Sequence, residues 1–281
     1  MIWKGRRQSG NVEDRRGTSG KGVAVGGIGT IVLALAIYFL GGDPTAILNT
    51  VQNSQVSTSD STYQGTAEEN ELAQFVSVVL ADTEDVWGDL FSREGAQYSM
   101  PKLVIYSGSV ESACGLGSRS TGPFYCSGDN SVYIDLSFYD ELREQFRASG
   151  DFAMAYVIAH EVGHHVQKLT GIMRKVDSLR SRMSEKEYNR YLVRLELQAD
   201  YYAGVWAHYA KKMNVLEEGD LEEALNAASA VGDDRIQKSA RGYVVPDSFT
   251  HGTSEQRARW FMKGFESGTI AGGDTFSAEE L

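Results

Sequence analysis

"AHEVGHH" (159–165) holds three of the five histidines in the 281-residue chain. On a helix, residues four apart share a face, so His160 and His164 can both turn a ring nitrogen toward one ion, about 2.0 to 2.1 Å from zinc. Glu161 is offset around the axis, beside such an ion, where a carboxylate can take a proton from water. Val157, Ile158, Val162 and Val166 flank the motif and predict a buried helix. Gly163 leaves room for another element to approach closely. His165 follows a ligand position, points about 100° away and reads as structural.

Catalytic zinc takes three protein ligands and keeps one position open, so a third is expected downstream. "LELQAD" (195–200) supplies it: Glu196 sits in a stripe of Leu192, Leu195 and Ala199 on a helix predicted from about Ser184. A carboxylate is rarely buried there without a partner, and a metal is one. Asp200, one turn on, can accept the outer N–H of His160 and fix its tautomer. An ordinary solvated acidic pair is the alternative for Glu196 and Asp200. His208 is expected to pack.

Around this centre the pattern predicts a long amphipathic helix from Ala67 and strands at "KLVIYSG" (102–108) and "SVYIDLSF" (131–138). Next comes a helix from about Asp151 to Gly171, then the helix bearing Glu196. A further helix over "LEEALNAASAVGDDRIQKSA" (221–240) and a last one over "TSEQRARWFMKGFESG" (253–268) close the chain. Cys114 and Cys126, the only cysteines, bracket a Gly/Ser-rich loop. In an oxidising compartment they are expected to pair, closing a loop worth about 2 to 3 kcal/mol; two independent buried thiols are the alternative.

The N-terminus is of another character. Residues 1–21 carry six basic and two acidic side chains, while the whole chain has a net charge of −11. So acidic a remainder argues against a nucleic-acid partner. Residues 22–42 carry no charge, long enough for a helix crossing a hydrocarbon core. The expected organisation is a basic cytoplasmic arm (1–21), a transmembrane anchor (22–42), a Ser/Thr/Gln/Asn-rich tether (43–66) and a catalytic body (67–281) across the membrane, by the positive-inside rule. A cleaved signal peptide and a buried core helix are the rival readings of 22–42. Gly22 and Gly26 form a GxxxG that could support weak homo-oligomerisation through the anchor, although glycines are common in such segments.

HExxH followed some thirty residues later by ExxxD resembles the gluzincin metallopeptidases. Together with "WKGRRQSGNVEDRRG" (3–17), "YVIAHEVGHHVQ" (156–167), "LELQADYYAGVWAH" (195–208) and "HGTSEQRARWFMKGFESG" (251–268), the chain resembles the bacterial family named "putative neutral zinc metallopeptidase". That resemblance implies one catalytic Zn²⁺, His160, His164 and Glu196 as its ligands, and Glu161 as the catalytic residue. His251 in "THGTSEQR" is similar in position to a gluzincin histidine that helps hold the oxyanion; a capping role is the alternative, and Tyr243 and Arg257 are weaker candidates for the same task.

The expectation is a membrane-anchored, zincin-like α+β metalloendopeptidase of the bacterial inner membrane, acting on extracytoplasmic proteins or peptides. Its small sheet is expected to be mainly antiparallel, with "SVYIDL" nearest the cleft. The alternatives are a catalytically silent zincin-fold protein that captures peptides, and a structural zinc site.

Overall fold

The structure, a computed structural model, describes residues 1–17 and 63–281. The anchor and residues 43–62 of the tether lie outside the described residues. Among the described residues no helix is long and apolar enough to cross a membrane.

The sheet has the order β1 (Val12–Asp14), β2 (Lys102–Tyr106), β6 (Ser131–Asp135), β5 (Phe124–Cys126). β1 and β6 both run parallel to β2, and only β5 is antiparallel to its neighbour. The expected mainly antiparallel sheet is therefore corrected. The physical reason lies in the strands themselves. "LVIY" and "SVYID" are apolar almost throughout and buried at every position, the pattern of strands covered on both faces. Leu103, Ile105, Val132 and Ile134 face the main core, while Val104, Tyr106 and Tyr133 face a second cluster with Val110 and Cys126. That second face is covered by the hairpin of β3 (Ser109–Ser112) and β4 (Gly115–Ser118). Cys114 and Cys126 are bonded, as expected.

Eight α-helices complete the described body. α1 (Ala67–Arg93) is followed by α2 (Phe138–Glu144), α3 (Asp151–Leu169), α4 (Ile172–Asp177) and α5 (Glu185–Lys212). α6 (Asp220–Ala230), α7 (Asp233–Arg241) and α8 (Ser254–Ser267) follow. α1, α5 and α8 each begin with a reciprocal capping box, from Thr66, Ser184 and Thr253, which satisfies two otherwise orphan backbone donors. The single helix expected over 221–240 is two helices broken at Gly232. A Cβ there would lie 2.4 Å from the Ser254 nitrogen, so the start of α8 occupies the space a longer side chain would need.

Residues 1–17 are not an arm apart from the body. β1 extends the sheet, Arg6 pairs with Asp82, and Arg7 bridges Glu84 and Asp85. Met1 is buried, and its ammonium group lies 2.6 Å from Asp151 and 3.3 Å from Asp220. Asp82 and Glu84 are each 2% exposed on α1; buried carboxylates require such partners. A strand hydrogen-bonded into a sheet lies on the same side of any membrane as that sheet. The residues expected as a cytoplasmic arm are thus packed on the body in this structure.

Candidate metal centre

α3 and α5 cross where Gly163 meets Ala199: a Cβ on Gly163 would sit 2.9 Å from the Ala199 carbonyl oxygen. This close approach brings Glu196 of α5 against the histidines of α3. The His160 Nε2 lies 3.1 Å from one Glu196 oxygen, and the His164 Nε2 lies 3.4 Å from the other. One ligand atom from each of His160, His164 and Glu196 falls within 4.8 Å of the other two. Both rings thus present Nε2 to the carboxylate, and both Nδ1 atoms are engaged elsewhere.

The outer contacts fix the tautomers. His160 Nδ1 lies 2.8 Å from Asp200 Oδ1. A carboxylate only accepts, so Nδ1 carries a proton; Nε2, which also faces a carboxylate, would give up its own proton to turn a lone pair to an ion. Asp200 is fully buried and also accepts from Tyr156 Oη at 2.5 Å and from Arg257 Nε and Nη2 at 2.8 and 3.0 Å. His164 Nδ1 donates to Gln167 Oε1 at 2.9 Å, and Gln167 Nε2 is in turn held by the Leu195 carbonyl at 2.6 Å. α3 and α5 therefore orient each other's ligands.

The electrostatics call for a cation between these groups. Burial disfavours the charged form of His160, yet the carboxylates of Asp200 and Glu196 raise it to about 10. Burial likewise opposes a charged His164, and Glu196 overcomes it. Glu196 is held well below the usual carboxylate range, against its burial, by His164, His251 and His160. The buried Asp200 and the partly buried Glu196 thus hold a proton on imidazoles that would ordinarily lose it near pH 6.5. A divalent ion at the three convergent atoms answers the same demand without that proton, and imidazole with carboxylate is a donor set that zinc takes. The residues present fit zinc.

Glu161 is 9% exposed, and burial raises its pKa while His164 and His160 oppose the shift. It lines a cavity of about 640 Å³ together with His160, His164 and Glu196. A larger concavity, about 790 Å³, shares only Arg119 with this one and contains none of the ligands.

The other expected site residues fall as follows. His251 lines the cavity, with its side chain half exposed, its backbone N–H on Asp233 Oδ2 at 2.6 Å and its Nδ1 3.3 Å from Asp233 Oδ1. It is thus held at the rim by the first turn of α7. Tyr243 is 61% exposed and does not line the cavity. Arg257 is buried on Asp200 and Tyr156, lies with Nη2 3.4 Å from His160 Nδ1, and lines the cavity. His208 packs, with Nδ1 on the Phe265 carbonyl. Tyr156 and Gln167 were missed by the sequence reading. Tyr156 lies four residues before His160 and Gln167 three after His164, and that helical spacing was the available signal. "SVYIDL" is interior to the sheet, so the strand at the cleft is β5, whose Phe124 and Tyr125 line the cavity.

Comparison with known proteins agrees with this centre. The family model described as "Putative neutral zinc metallopeptidase" matches residues 1–276. Uncharacterized protein YpfJ of Escherichia coli K12 is 51% identical over 98% of this chain and 99% of its own length. Uncharacterized protein Rv2575 of Mycobacterium tuberculosis H37Rv is 40% identical over 76% of this chain and 74% of its own. No solved structure matches. A chain covered from residue 1 to 276 by that model, with HExxH and a distant glutamate joined at one point, belongs to the family described as "Putative neutral zinc metallopeptidase".

Proposed function

We propose that this protein is a zinc-dependent metalloendopeptidase hydrolysing peptide bonds of proteins or peptides, with Glu161 as its general base. The observation that carries the reading is the convergence of His160, His164 and Glu196 beside a buried Glu161 in an open cavity. A structural zinc site closes all four positions with protein ligands; here three converge, and Glu161 is a carboxylate that such a site would not need.

Zinc held by these ligands supplies a Lewis acid that brings the pKa of water to about 7 and polarises a scissile carbonyl. Glu161 would accept the proton of the attacking water at its carboxylate and return it to the leaving amine. Burial raises its pKa, the direction that helps a carboxylate hold and return a proton. Asp200, fixed by Arg257 and Tyr156, keeps the His160 ring in its ligating tautomer, and Gln167 does the same for His164. β5 is short, antiparallel and at the sheet edge, which suits an extended peptide added beside it. His251 at the rim is proposed to face the developing oxyanion.

Attachment to a bacterial membrane through residues 22–42 is part of the proposal, supported by their uncharged composition. An extracytoplasmic body is supported by the Cys114–Cys126 disulfide; residues 1–17 join its sheet, so residues 22–42 would be held in the membrane without separating the two.

The test is zinc content and peptide cleavage of the purified protein against Glu161→Gln. The variant is expected to bind one zinc per chain and to lose about 10²- to 10⁴-fold in kcat. Equal zinc with equal cleavage would contradict the assignment of Glu161, and zinc without cleavage in the unaltered protein would favour a silent peptide-binding protein.

A further inference from the structure

The third histidine of "AHEVGHH" has no place among the ligands. It is nevertheless wholly buried, with both ring nitrogens engaged. His165 Nε2 lies 2.5 Å from the Ser99 carbonyl oxygen, which only accepts, so Nε2 carries the proton. Nδ1 is then an acceptor, and it receives the Tyr125 hydroxyl at 2.8 Å. The rings of Tyr98 and Tyr125 stand edge-on to the imidazole, at 5.7 and 5.4 Å.

Tyr125 is the central residue of β5, the strand at the cleft. One turn further along α3, the Lys168 ammonium group donates to the Ser127 carbonyl and to Asn130 Oδ1, in the turn that follows β5. β5 has only three residues and one neighbouring strand, too little pairing to hold an edge strand rigidly. Beside the Cys114–Cys126 bond at its end, two side chains from the helix that carries the metal ligands constrain it. His164 faces the ligand cluster, while His165, about 100° further around the axis, faces the strand.

We propose that His165 and Lys168 are positioning residues that clamp the cleft-edge strand to the metal helix through Tyr125 and the Ser127–Asn130 turn. They thereby set where an extended peptide lies relative to Glu161. The consequence for substrate rests on the peptidase reading above; the clamp itself does not. A side chain that only filled space at position 165 would need neither ring nitrogen. Ligand orientation does not depend on it, because His164 is oriented by Gln167.

The experiment uses the full chain loaded with zinc. Hydrogen exchange of the segment containing residues 124–126 is compared with that of α3 in Tyr125→Phe, His165→Leu, His165→Gln and Lys168→Met. Tyr125→Phe removes a single hydroxyl, and glutamine can donate and accept as the imidazole does. Exchange of β5 is expected to rise about tenfold or more in Tyr125→Phe and His165→Leu, and less in Lys168→Met, with α3 protection and zinc content kept. His165→Gln should return most of it. With an internally quenched peptide pool, KM should rise about fivefold in Tyr125→Phe while kcat stays within about twofold, the mark of a lost positioning contact.

Unchanged β5 exchange in Tyr125→Phe overturns the proposal, as does a His165→Gln variant as damaged as His165→Leu. So does a fall in kcat and zinc content at constant KM. If His165→Leu fails to fold, Tyr125→Phe decides. If the unaltered protein binds zinc and cleaves nothing, the peptidase reading fails, while the exchange data still judge the clamp.

Discussion

Among the described residues, two groups of side chains could hold a metal ion by geometry: His160, His164 and Glu196, and Asp151, Asp220 and Glu223. They lie on the same framework, since Asp151 opens the helix that carries both histidines. What separates them is how their charge is met. In the all-carboxylate group the Met1 ammonium group lies against Asp151 and Asp220, with Glu217 at 3.2 Å, and Glu223 accepts the Phe152 N–H at 3.0 Å. That group is satisfied by the chain itself. In the mixed group the nearest permanent cation, Arg257, is committed to Asp200, and Glu196 meets only imidazoles. Proximity of donors makes both candidates. A demand for positive charge met only by imidazoles, which would give up their protons to an ion, distinguishes the candidate metal centre from an ion-pair cage.

The contrast can be broken by metal titration. Glu196→Ala or His164→Ala should weaken zinc binding at least about 100-fold, since each leaves two of three ligands. Asp220→Asn should leave zinc binding unchanged. Next in size, Asp200→Asn should lower zinc affinity about 10- to 100-fold, because the His160 ring loses the acceptor that fixes it; isothermal titration with zinc reads this. Asp220→Asn should instead cost about 1 to 3 kcal/mol of stability in denaturant unfolding, for the loss of one buried partner of an ammonium group.

The smallest effect is the pH response of the metal-free protein. Burial raises Asp200, but Arg257 and His160 bring it down to about 2, below its ordinary 3.8. Its contribution is therefore complete above pH 3.8 and is lost as pH falls through about 2. The Met1 amine moves the other way: burial opposes its charge, Asp151 and its neighbours overcome this, and it lies above 8.0. Its contribution is complete below pH 8.0 and is lost as pH rises beyond that. Unfolding measured across pH should show both limbs, and Asp220→Asn should flatten only the alkaline one.

Much of the metal centre was legible because helical spacing is local. His160 and His164 are one turn apart, and Glu196 betrayed itself as an acid in an apolar stripe. The helices at 67–93, 151–169, 185–212 and 254–267 follow directly from apolar periodicity and capping residues. What escaped depends on distant partners. No local pattern says that Arg6 and Arg7 meet Asp82 and Glu84, although two acids buried among the apolar residues of α1 were a signal of some cation to come. The parallel pairing of β2 and β6 was missed although both carry the apolar runs of strands covered on two faces, while β1, joining from the other end of the sequence, left no local sign. β5 was hidden because three residues, "FYC", are too short for a period to be read. Gly232 broke a helix for the sake of Ser254, a residue 22 positions away.

The most direct measurement is X-ray absorption at the zinc edge of the purified protein, alongside Glu196→Ala and Asp220→Asn. One zinc per chain is expected, with two imidazole nitrogens and carboxylate oxygen in its coordination sphere. The oxygen contribution should change in Glu196→Ala and stay as it is in Asp220→Asn. A shell of oxygen alone, or a signal that Glu196→Ala leaves untouched while Asp220→Asn abolishes it, would contradict the assignment of the metal to the α3–α5 crossing.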